Sequence, residues 1–193
     1  MFNRASLQGA FTPAWRRACL ALAAFAMAAG AAAQSPVRNI DVAYDGEKYV
    51  VKAQMFAAVP QTIAWAVLTD FNNMAGWVPN VRESRVVKSA DKQMTIEQSG
   101  TAKLGPLSFS YTSLREIVMD PQTTIQSTQV KGSMKRQQSL MTLSPETGGT
   151  RMQYQLEIVP SALVSTVMSQ DLLKRNIEEE FTAIVGEMNK RGK

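Results

Sequence analysis

Histidine is absent from the 193 residues, and the single cysteine is Cys19. A Ser-His-Asp or Cys-His nucleophile is therefore excluded, as is a zinc site built on His or Cys. No glycine-rich phosphate loop follows a strand pattern, and Gly148-Gly149 precede one and read as turn residues. Carboxylates, arginines, amides and tyrosines remain. Asp70 lies between two short helical patterns; it is either an acid or base at a pocket mouth or, in the commoner use of such a position, a helix cap. Arg115 and Arg151 could each hold a polar head group or lie on the surface. Glu97 and Glu157 lie opposite the apolar faces of their strands and are expected to face solvent, with Glu178, Glu179 and Glu180 forming a solvated helix face. No metal site or cofactor is expected, and the strand faces show no convergent set of ionisable groups.

The elements that must position these groups follow from periodicity. Val37–Tyr44 and Lys48–Val59 flank Asp45-Gly46, a hairpin signal. Pro60 can open a helix. Ile63, Ala64, Val67 and Leu68 then repeat at helical spacing, and Asp70-Phe71-Asn72-Asn73 favours a stop and a restart. Strand patterns follow: Val81–Lys88; a stretch with Met94, Ile96 and Gln98 on one face; and one with Leu107, Phe109 and Tyr111 on one face. Gly105-Pro106 marks a turn between the last two. Thr123–Val130 and Gln138–Leu143 come next, and Met152, Tyr154, Leu156 and Ile158 alternate with polar residues in the clearest strand pattern of the chain. Short strands without intervening helices, closed by one long helix, argue for an α+β protein with an antiparallel sheet.

From Ser161 to about Lys190 the pattern is helical, with a break expected near Ser169–Asp171 and Asp171 as the cap of the second part. At about 100° per residue, Leu163, Val167, Ile177, Phe181, Ile184 and Met188 share one face, together with Gln170 and Lys174. Nine methionines follow the first 33 residues; singly each reads as core, but collectively they suit an adaptable apolar surface. Trp65 is expected in the core and Trp77 at a partly exposed entrance.

The run V-P-x-x-x-x-W-x-V-L-T-D-F from Val59, followed by W-V-P-N-V and S-R-V, resembles the first motif of the START-like superfamily, nearest the polyketide cyclase/dehydrase and coenzyme Q-binding families. The segment LSPETGGTRMQY, Leu143–Tyr154, is similar to their late strand pair, and the resemblance extends from about Val50 to Lys193. It implies a helix-grip fold: a curved antiparallel sheet wrapped around the long C-terminal helix, with two short helices after the first strand. It also implies an apolar cavity between sheet and helix. The residues expected to line it are Trp77, Met94, Ile96, Phe109, Tyr111, Met152, Tyr154, Leu156, Val167, Ile177 and Phe181. Asp70, Arg115, Gln170 and Lys174 are the expected polar contacts.

Residues 1–33 read as a cleaved leader: Arg4, Arg16 and Arg17 are followed by an apolar run from Cys19 to Ala29, too short to span a bilayer, and by Ala31-Ala32-Ala33. Arg16-Arg17 is compatible with a twin-arginine route, but the residues after it fit an ordinary secretory signal better. Removing this leader removes three of the 21 bases and none of the 16 acids, so the remaining domain, 34–193, is close to charge-balanced and gives no reason to expect a nucleic-acid partner. The expectation is a periplasmic, non-enzymatic binder or carrier of a lipid, isoprenoid quinone or polyketide-like molecule, with transient membrane contact for exchange. The alternatives are a polyketide cyclase or dehydratase and an envelope interaction module.

Overall fold

The computed structural model describes residues 36–104 and 107–193. The expected leader and the turn at Gly105-Pro106 lie outside the described residues.

The chain opens with a hairpin, β1 (Val37–Tyr44) and β2 (Tyr49–Ala57). Asp45 closes the turn, its Oδ1 accepting from the backbone N–H groups of Glu47 and Lys48 at 3.0 and 2.9 Å, and Gly46 takes the positive φ of 97° that the turn requires. β2 alternates strictly: Tyr49, Val51, Ala53, Met55 and Ala57 are buried. Then come α1 (Gln61–Leu68) and a 3-10 segment, Phe71–Gly76. Six strands follow in sequence, β3 (Val81–Ala90), β4 (Gln93–Leu104), β5 (Leu107–Asp120), β6 (Thr124–Gly132), β7 (Arg136–Glu146) and β8 (Gly149–Val159). A single turn, α2 (Ala162–Ser165), precedes the long helix α3 (Gln170–Arg191).

All strands join one antiparallel sheet in the order β1-β2-β8-β7-β6-β5-β4-β3. The meander β3 to β8 is local, and β8 then takes up β2, with Ala53 opposite Tyr154 and Met55 opposite Met152. The segment 58–80 therefore crosses from β2, next to one edge of the sheet, to β3 at the opposite edge, carrying α1 and the 3-10 segment with it. The two short helices follow the second strand of the opening hairpin rather than the first. The α+β helix-grip architecture expected from the sequence is the one found: the curved sheet holds α3 against its inner face.

α3 is fixed at both ends. At its start, Ser169 Oγ accepts from the Leu172 N–H at 3.3 Å, so Ser169 is the cap and Asp171 lies inside the first turn. Gln170 donates to the Val42 carbonyl oxygen of β1 at 3.2 Å. At its end, Arg191 pairs with Asp70 at 2.8 Å and its guanidinium lies 5.9 Å from the centre of the Trp77 ring. Ile184, Val185 and Met188 are buried in this half, beside α1.

Candidate functional site

Between α3 and the sheet lies a cavity of about 280 Å³, near the lower end of the size range of small-molecule pockets, roughly 300–1,000 Å³. One wall is the helix row Leu173, Ile177, Glu180 and Ile184 with Phe181; the opposite wall is the inner face of β4 to β8. Leu68, Phe71, Met74 and Val78 close one end, and Val164 and Met168 border the other. The walls carry apolar bulk from Phe109, Ile117, Ile125, Met141 and Leu156. Tyr154 meets Phe181 edge-to-face, ring centres 4.9 Å apart, which joins the sheet wall to the helix wall.

A polar group interrupts this apolar lining. Arg115 follows Phe109, Tyr111 and Ser113 along the inner face of β5, two residues apart each time, so the pleat directs all four inward. A chain of hydrogen bonds holds Arg115 in place. Its Nη2 donates to Gln98 Oε1; Gln98 Nε2 donates to Ser84 Oγ at 2.9 Å; and Ser84 Oγ donates to the Phe71 carbonyl oxygen. Gln98 is 6% exposed, so its amide is spent on orienting Arg115. The Nε of Arg115 and the hydroxyl of Ser113 are buried without a partner.

Glu180 faces this group from α3. Its side chain lines the chamber, while the residue as a whole keeps exposed surface on α3. Burial raises its carboxyl pKa, and the Arg115 charge offsets the rise only in part. Burial, with a smaller push from Glu180, also raises Tyr111 and Tyr154 to about 12, so both phenols are neutral hydrogen-bonding groups. Gly100 makes room for Tyr111 opposite it: a Cβ there would lie 1.9 Å from the Asn80 carbonyl oxygen and 2.8 Å from the Tyr111 ring.

Residues 57–181 match the family model for polyketide cyclase/dehydrase and lipid transport proteins. The chain belongs to this family. A search of the curated proteins finds no match. Solved structures similar to it include the Zhui aromatase/cyclase from Streptomyces sp. R1128, with 16% identity, a TM-score of 0.61 and coverage of 76% of this chain and 96% of that one. A START superfamily protein from Mycobacterium smegmatis gives 14% identity, a TM-score of 0.60 and coverage of 74% and 98%. A STAR-related lipid transfer protein from Xanthomonas axonopodis gives 15% identity, a TM-score of 0.58 and coverage of 78% and 99%. At these identities the likeness establishes the fold.

Within this family fold, the cavity brings together Phe109, Tyr111, Arg115, Tyr154, Leu156, Ile177 and Phe181 from the residues singled out in the sequence. It leaves out the others. Met94, Ile96 and Met152 share the inward face but pack in the core, with Ile96 and Met152 fully buried. Trp77 sits half-buried against Arg191, outside the lining. Val167 falls in the linker between α2 and α3, and Val164 of α2 and Met168 of the linker take the lining positions. Lys174 and Gln170 are exposed on α3. Asp70 neither lines the cavity nor caps the 3-10 segment through its side chain; its oxygens accept from Arg191 and, at 2.7 Å, from Asn73 Nδ2. Arg151 pairs outside with Glu146 at 2.6 Å. Glu157 pairs with Lys48 and Glu97 with Arg85 on the outer face.

Two site residues escaped the sequence reading. Gln98 lies on the same strand face as Met94 and Ile96, and that alternation was its signal. Glu180 was grouped with two solvated neighbours. That grouping followed the ordinary exposure of glutamate; the linker between α2 and α3 explains a different miss, Leu163, which is 70% exposed. Counted within α3 alone, Leu173, Ile177, Glu180 and Ile184 fall in one row, and the cavity holds a convergent ionisable set that the strand faces alone did not reveal.

Proposed function

We propose that the protein is an exported, non-enzymatic carrier of a hydrophobic small molecule, of the lipid, isoprenoid quinone or polyketide-like class. The observation that carries this reading is the partly open cavity between α3 and the sheet, apolar over most of its wall with a few polar groups on one part. Members of the family it belongs to are described as polyketide cyclases, dehydrases and lipid transport proteins, and one similar structure is titled a lipid transfer protein. The leader-like residues 1–33 support export to the periplasm. Leu163, 70% exposed on α2 beside the lining residue Val164, supports brief contact of that end with a membrane surface during exchange. Native mass spectrometry with lipid extraction of the purified protein tests the reading: a co-purifying apolar ligand at one copy per chain is expected, and the protein recovered free of ligand from lipid-rich extract would contradict it.

A second reading is favoured by the convergence of Glu180, Arg115, Tyr111 and Tyr154. A carboxyl with a raised pKa beside a guanidinium is equipped for proton transfer to a carbonyl-bearing chain, and the similar Zhui structure is titled an aromatase/cyclase. Turnover of a poly-β-keto substrate that is lost in Glu180→Gln, with the fold retained, would establish this reading in place of the carrier.

A further inference from the structure

Taking the carrier reading as its basis, we propose that the polar part of the cavity is a carboxylate seat: a ligand with one carboxylate on an apolar tail docks its oxygens on Arg115, with Glu180 facing them from α3. Arg115 carries five N–H donors, and the hydrogen bond from Nη2 to Gln98 is what orients the planar fork. Nε is buried and unpartnered, and so is the neighbouring Ser113 hydroxyl, which is 9% exposed. Among the described residues no carboxylate forms an ion pair with Arg115, Glu180 included. A cation and hydroxyl enclosed in this way are stabilised by an oxygen ligand that accepts from both. A guanidinium fits the two oxygens of a carboxylate better than the single oxygen of an alcohol or ester.

Glu180 tunes the seat. A bound carboxylate adds a negative charge near its carboxyl, which further favours the protonated form already favoured by burial. The protonated carboxyl then donates to the ligand oxygen instead of repelling it. The other groups facing the site do not titrate in the working range: Arg115 stays charged, and Tyr111 and Tyr154 are raised to about 12. Gln129, Ser127 and Ser139 from β6 and β7 and Asn176 from α3 are uncharged. Ligand binding is thus coupled to proton uptake at Glu180.

The test compares dodecanoic acid with dodecanol and methyl dodecanoate, below their aggregation limits, on the purified protein by isothermal titration calorimetry. The acid is expected to bind at least about tenfold more tightly than the alcohol and the ester, the difference one charge-assisted hydrogen bond makes. In Arg115→Gln the preference should fall to near one, and in Arg115→Lys, which keeps the charge but not the fork, it should be intermediate. Between about pH 6 and pH 8, where the free acid stays ionised, wild-type affinity for the acid should weaken as pH rises, and Glu180→Gln should flatten that dependence. Equal binding of acid, alcohol and ester by the wild type would overturn the seat and leave the carrier reading standing. Binding of none of the three would overturn both.

Discussion

A single carboxyl makes the sharpest statement about this cavity. Burial raises the folded-state pKa of Glu180, so the native state holds that proton more tightly than the unfolded chain does. The corresponding stability is fully present below the ordinary carboxylate pKa and is lost as pH rises through the raised folded value. Glu180→Gln cannot titrate, so thermal unfolding should show the variant gaining on the wild type as pH rises from about 4 to about 8; a pH-independent difference would mean that Glu180 is solvated. Gly100 makes a second statement. Its place between the Asn80 carbonyl oxygen and the Tyr111 ring leaves no room for a methyl group, and Gly100→Ala should cost more than about 2 kcal/mol in denaturant unfolding, because one neighbour is backbone and cannot turn away. Asp70→Asn is milder. The Asp70–Arg191 pair is partly exposed, so its loss should cost no more than about 1 kcal/mol and should leave cavity binding intact, since Asp70 is outside the wall.

At the scale of elements, the helix α3 explains both what the sequence disclosed and what it concealed. The strands were legible because β2 alternates throughout and β8 alternates up to Ile158, and each buried residue in the pattern Met152, Leu156, Ile158 came from the two-residue period alone. The break before α3 was legible too, from the polar run at Ser169–Asp171. The phase of α3 was legible as well, since Ile177, Phe181, Ile184 and Met188 share the face that is buried; what the local pattern could not supply was which polar residues of the helix border the cavity. Glu180 was read as solvated from the ordinary exposure of glutamate, and Lys174 and Val167 were placed inside by extending one helical face through the linker. Arg115 was ambiguous for a different reason: an inward arginine is recognisable only from its partners Gln98 and Ser84, which come from another part of the sheet. The capping of α3 is directly testable. Ser169→Ala removes the acceptor for the Leu172 N–H and should lower stability by about 1 kcal/mol. Since Met168 and Leu173 flank that cap and line the cavity, hydrogen exchange should also quicken in the first turn of α3; unchanged exchange there would show that the linker, not the cap, holds this end.

For the molecule as a whole, the fold divides labour between the two halves of α3. The C-terminal half is packed against α1 and tied to Asp70, while Leu173, Ile177 and Glu180 of the N-terminal half line the cavity. The proposed export has its own test: protein expressed in a Gram-negative host should be recovered from the periplasm beginning at or near Gln34 by intact-mass measurement, and recovery of the Met1 form from the cytosol alone would contradict export. The central claim is that the cavity holds an apolar tail by burial, and affinity against tail length tests it most directly. For a series of straight-chain saturated fatty acids titrated into the purified protein, each added CH₂ contributes about 0.8 kcal/mol, roughly fourfold in affinity, until the chamber is full. A steep rise followed by a plateau is the predicted result; affinity independent of tail length would contradict the account.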